Sequence, residues 1–229
     1  TSDNSTILTA AIDSGVGGNI TAGSTATAKN GVVTFSALKL TGKPGEPYAL
    51  KFTSGSLTPS VADTFTVRKY ADVNFSYQAT RYVPNGIVSD SFVTDSPSTP
   101  SFSTISSAQI CTVDSSTGDI TIKGVGTCTV SVTVPDSTYY LQPIVTPTAT
   151  LVISKAFQSP VLVTSASTVN YQGTIAASAS GGSGTGAMTY AVTGQCQLVG
   201  TTIVPNDAGS LCQLTATRLG DANYLPQAS

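Results

Sequence analysis

The four cysteines of this chain form two pairs that sit in one repeated frame. Cys111 and Cys128 are 17 residues apart, and Cys196 and Cys212 are 16 apart. The first members of the pairs are separated by 85 residues and the second members by 84. Eight or nine residues after each second cysteine comes Asp-x-x-Tyr, as Asp136 to Tyr139 and Asp221 to Tyr224. A fixed period of this length constrains architecture more than any local propensity, because each period must be one folding unit in a series. The seams repeat as well: Thr64–Tyr70 and Thr150–Ala156 align with Lys69 and Lys155 86 residues apart. The expected domains are 1–69, 70–155 and 156–229, joined by short linkers. The first opens on a strand with no earlier partner, and only five residues follow Tyr224. The first domain is therefore expected to lack its first strand, and the third its last.

Charged residues make up only 10% of the 229 positions, against roughly a quarter in an average globular protein. Hydrophobic residues at 40% are still enough to build cores, which sets the chain apart from disordered sequences. A net charge of −2 gives no basic footprint, so nucleic acid is not an expected partner. Histidine is absent and Glu46 is the single glutamate, which removes the commonest general base and the commonest transition-metal ligand. No enzyme activity is expected. Apolar runs such as Ile144–Ile153 fall well short of the ~20 residues a membrane-spanning helix needs, so no membrane insertion is expected. Paired cysteines at matched positions point to an oxidising, extracellular compartment.

Apolar and polar residues alternate in Val32–Leu38, Ala62–Val67, Thr127–Val134 and Leu211–Thr217. Alternation of β-branched residues is the signature of half-buried strands. Gly, Pro, Asn and Ser interrupt these runs every eight to twelve residues, as in β-sandwiches. The expected class is all-β.

Ile7–Ile12, Gly17-Gly18-Asn19, Asn30–Leu38 and Gly45–Leu50 together resemble bacterial immunoglobulin-like repeats, without the Asp-x-x-Gly-Asn turn that usually opens them. The frame of cysteine, turn, Gly-x-Cys-x-Val and Asp-x-x-Tyr is similar to a second bacterial immunoglobulin-like type, whose companion feature is Gly181–Tyr190 ahead of Cys196. The second domain replaces that glycine run with the longer segment Asp90–Ser107. The resemblance implies tandem immunoglobulin-like β-sandwiches in an elongated array, from large secreted or surface-anchored proteins that serve as stalks, adhesins or surface layers.

Each pair, Cys111–Cys128 and Cys196–Cys212, is expected to be a structural disulfide within its repeat, since redox chemistry favours Cys-x-x-Cys and zinc needs four clustered ligands. Asp136 and Asp221 are expected to cap turns, with Tyr139 and Tyr224 packed at sandwich corners. Calcium between domains would draw on Asp90, Asp95, Asp114 and Asp119, but their dispersion disfavours it, and no cofactor is expected. Lys29, Lys39 or Lys51 with Glu46 is a weak candidate for an isopeptide bond. Gly181–Gly186 lacks the Lys-Ser/Thr ending of a phosphate loop and reads as a connection. Sequons stand at Asn4, Asn19 and Asn74.

The expected function is a structural rod or spacer at a bacterial surface, with neighbouring repeats or copies of the protein as partners. Two alternatives remain. One is a filament subunit that exchanges strands between copies through open sheet edges. The other is a module binding a glycan or receptor, with Phe92 and Phe102 of the long second-domain segment as its contact loop.

Overall fold

The computed structural model describes residues 2–55, 57–170 and 172–229. Thr1, where the expected first domain begins, lies outside the described residues. Those residues form strands and turns with no helix among them, so the chain is all-β. No helix long and apolar enough to cross a membrane is present among them. Contacts group the chain into two compact units. The first comprises Thr1–Asn74, Val93–Pro100 and Val132–Pro147; the second comprises Phe75–Phe92, Ser101–Ser131 and Thr148–Ser229.

In the first unit, Ile7–Ser14 pairs antiparallel with Thr25–Thr27 on one side and Pro47–Thr53 on the other. Asn19–Ala22 pairs separately with Lys39–Thr41. Ala10, Tyr48, Ala49 and Leu50 are buried. Tyr48 anchors this region because three glycines give its ring room. A Cβ on Gly15, Gly18 or Gly42 would come within 2.2, 2.5 or 2.6 Å of the ring. Its hydroxyl accepts from the Lys43 amide at 2.7 Å and donates to the Val16 carbonyl at 3.0 Å.

Val32–Leu38 differs from its expectation. Apart from one bridge between Lys29 and Val32, this segment makes no ladder. Its alternation survives as sidedness alone, with the Phe35 ring tilted against that of Phe52, centroids 5.3 Å apart. Ala62–Val67 is likewise reduced to the short strand Phe65–Thr66. Period-two burial needs only an extended backbone; a ladder also needs a partner strand in register.

The second unit contains two pairs of sheets joined by disulfides, besides the small sheet of Val161–Val163 with Ala179–Gly181. Thr148–Ser154 pairs with Thr80–Arg81 in parallel and with Gly126–Thr133 antiparallel. Its burial alternates strictly: Ala149, Leu151 and Ile153 point inward while the residues between them are exposed. Ile120–Ile122 lies between Ile87–Val88 and Cys111–Val113 in a second sheet. Nearer the C-terminus, Met188–Gly194 and Cys212–Arg218 form one ladder, and Cys196–Val199 with Thr202–Pro205 another.

Each disulfide joins two sheets. Cys111 lies in the sheet of Ile120–Ile122 and bonds to Cys128 in the sheet of Thr148–Ser154, with Cα atoms 6.0 Å apart. Cys196 lies beside Thr202–Pro205 and bonds to Cys212 beside Met188–Gly194, with Cα atoms 5.7 Å apart. Two sheets covalently tied across their inner faces make a β-sandwich.

Candidate functional site

The chemistry-bearing side chains collect around the disulfides, the loop of Asp90 and Asp119, and the two Asp-x-x-Tyr loops. Cys111 and Cys128 are fully buried. Thr104 Oγ1 lies within 4.0 Å of both sulfurs and donates to the Thr129 carbonyl at 2.7 Å. Cys196 is half-buried and Cys212 exposed. Cys111–Cys128 thus sits in a sealed interior and Cys196–Cys212 near solvent.

The segment Asp90–Ser107, expected as a contact loop, is in part strand. It contains the strands Ser91–Thr94 and Ser101–Thr104, the latter in the sheet of Gly126–Thr133. Phe102 is 5% exposed, and its ring lies 5.4 Å from Phe92 and 6.3 Å from Phe75. Phe102 is thus buried in an edge-to-face cluster that the half-buried Phe92 joins, since burying a ring stabilises more than leaving it in water.

Beside that cluster, Asp114 opens the hairpin from Cys111–Val113 to Ile120–Ile122. Its Oδ1 accepts from the Ser116 hydroxyl and from the amides of Ser116 and Thr117. These bonds, led by the Ser116 hydroxyl, hold its carboxyl at about 2. Gly118, at φ +80°, closes the turn. A Cβ there would meet Asp90 Oδ2 at 2.6 Å. That oxygen is shut off from solvent and has no hydrogen-bond partner among the described residues. Burial, and then the nearby Asp119 charge, push the Asp90 carboxyl above its ordinary value. Tyr77 donates to the Gly118 carbonyl at 2.7 Å, and burial raises its hydroxyl too.

Asp95 lies in the first unit, where it binds Lys69 Nζ at 2.7 Å and the Asp72 amide at 2.8 Å. Lys69 also contacts Asp72, and these two hydrogen bonds, the Asp72 one foremost, raise its ammonium. Of the four aspartates considered for calcium, Asp95 thus lies in the first unit, while Asp90, Asp114 and Asp119 lie at the hairpin of the second. No group of three metal-ligating side chains occurs among the described residues. Glu46 accepts from the Val16 amide at 3.1 Å.

The two Asp-x-x-Tyr loops use their aspartates differently. Asp221 Oδ1 accepts from the amides of Asn223 and Tyr224, an Asx turn. Its Oδ2 accepts from the Thr185 amide and hydroxyl, so the Gly181–Gly186 connection leads into this turn. The Thr185 amide is the main cause of its lowered pKa. Asp136 instead accepts from the Gln142 amide at 2.7 Å and from Arg68 Nη2 at 3.2 Å. Tyr139 is 41% exposed, which departs from the buried corner ring expected from sequence.

No protein-family model and no curated protein sequence matches the chain. Among solved structures, it is similar to the C-terminal 282-residue fragment of intimin in complex with the intimin-binding domain of the translocated intimin receptor. That likeness has a TM-score of 0.42 at 17% identity and covers 70% of this chain and 55% of that one. The chain therefore spans about half the length of that fragment. It is also similar to the EC22-24 segment of mouse cadherin-23, with TM-score 0.40, 11% identity and coverage of 97% and 84%. For the EC1-4 segment of Drosophila N-cadherin the values are 0.30, 11%, 96% and 65%.

Proposed function

We propose that the chain is a load-bearing spacer: three immunoglobulin-like modules at 1–69, 70–155 and 156–229, belonging to a bacterial stalk or adhesin outside the cell. The observation that carries this reading is the recurrence, about 85 residues apart, of one sandwich tied sheet to sheet by a disulfide. Such a bond limits how far a module can extend once its sheets separate, and it persists in an oxidising compartment. Solubility rests on Ser, Thr, Gly and Asn rather than on charge. In such a series, stability is a sum of module terms and nearest-neighbour interface terms.

Single-molecule pulling of the oxidised chain tests the reading. Three separate unfolding events are expected. Reduction should lengthen two of them, each by about 5–6 nm as the 17- and 16-residue loops are released at ~3.3–3.6 Å per residue. A single rupture of the whole chain would overturn the modular spacer.

A further inference from the structure

The strand running into each of the last two modules lies beside that module's own Asp-x-x-Tyr loop. At the first seam, Lys69–Tyr70 pairs in parallel with Tyr140–Leu141. The Lys69 amide donates to the Tyr139 carbonyl, and the Ala71 amide to Leu141. At the second seam, Ala156 and Tyr224 form a parallel bridge. There the Ala156 amide donates to the Asn223 carbonyl at 3.0 Å, and the Leu225 amide to Ala156 at 2.9 Å.

A basic side chain reinforces each arrangement. Arg68 Nη2 reaches Asp136 and the carbonyls of Ser137 and Tyr140, and Lys155 Nζ reaches the Asp221 carbonyl. The equivalent positions 69 and 155 are a lysine in both repeats, but the cation that bonds to the loop is Arg68 at one seam and Lys155 at the other.

The same loops also touch the module before them. The turn at Gly45, φ +83°, lies so close under the Tyr139 ring that a Cβ there would be 2.7 Å from it. Tyr224 packs edge-on against Tyr82 with centroids 5.5 Å apart. Asn223 Oδ1 accepts from the Val125 amide at 3.1 Å. Next to them, Arg81 lies 4.2 Å over the Phe157 ring and donates to the Lys155 carbonyl. Each seam falls inside one compact unit.

We propose that the Asp-x-x-Tyr loop is a seam clamp, which grips the strand entering its own module and sets its tyrosine ring against the preceding module. Linked modules move freely unless something fixes their interface, and two ladder bonds plus a ring contact at each seam supply that constraint. The inference rests on the three-module reading and adds to it the element that couples neighbours.

The test uses the full oxidised chain with Asn223→Ala, alone and combined with Tyr224→Ala, and Tyr224→Phe as the variant that keeps the ring. Loss of one hydrogen bond, net about 1 kcal/mol, should speed exchange of the Val125 amide about fivefold. Amides of Leu151 and Ile153 should be unaffected in the same sample. Spin labels at the exposed residues Ile87 and Val199 should show a broader distance distribution in the double variant and an unchanged one in Tyr224→Phe. An unchanged Val125 exchange rate, or an unchanged label distribution in the double variant, overturns the clamp. Failure of the modular reading would show instead as a single rupture in the pulling experiment, whatever Val125 does.

Discussion

Tyr48→Phe isolates the part of the fold that has no disulfide to support it. The ring is completely buried, and three glycines leave it space that phenylalanine fills equally well. Only the hydroxyl is removed, and with it the bonds to the Lys43 amide and the Val16 carbonyl. Each such bond contributes a net ~0.5–1.5 kcal/mol, so the pair is worth about 2 kcal/mol. Two backbone groups would also lose their partner, which puts the cost at the upper part of that range unless water reaches them. For a unit of this size 1 kcal/mol moves the midpoint by about 4–8 °C, so the first transition should fall by roughly 10 °C. Urea titration with amide exchange at Ala49 and Leu50 would assign the loss to this strand. The later transitions should stay in place. A change under about 0.5 kcal/mol, the range of an ordinary surface substitution, would refute the view that Tyr48 pins the two loops through its hydroxyl.

Mild reductant should open Cys196–Cys212 well before Cys111–Cys128, because attack on a disulfide requires access and the first pair is sealed; mass mapping of alkylated cysteines over time would read the order, and simultaneous opening would contradict it. Replacing Cys111 and Cys128 together by alanine should destabilise the middle module by about 3 kcal/mol in the chain-entropy model for its 17-residue loop, measured as a fall in its urea midpoint. Asp90 should make the protein less stable as pH rises. Its folded pKa is raised from 3.8, so its favourable contribution is complete below 3.8 and is lost as pH climbs through the raised folded value. Thermal melts should therefore show Asp90→Asn gaining on the parent between pH 4 and 7, whereas parallel profiles would show that the buried oxygen is not the cause.

Much of the architecture was legible because strand patterning and disulfide spacing are local properties. Gly126–Thr133 and Cys212–Arg218 lie where alternation placed strands, and Gly126–Thr133 buries alternate residues along its length. Val32–Leu38 shows the limit: its pattern matches theirs, yet no partner lies in register and no ladder forms. The site was less legible. Phe92 and Phe102 stand out in sequence because the Asp90–Ser107 segment is longer than the glycine run it replaces. Neither the pairing of Phe102 with Phe75 nor the closeness of Asp90 to Gly118 leaves a sequence signal, because both depend on contacts between distant segments.

The sequence by itself determined the period, the strand class and which cysteines are equivalent, because these follow from spacing and from the alternation of side chains along an extended chain. Only the tertiary structure decided what the repeated Asp-x-x-Tyr does. In sequence, Asp136 and Asp221 are the same residue one period apart. In space, one binds Arg68 and the other closes an Asx turn, and their tyrosines meet a glycine turn and a second tyrosine. Spacing along the chain fixes where a residue lies in its local frame, but its contacts depend on segments distant in sequence, and those differ around Asp136 and Asp221.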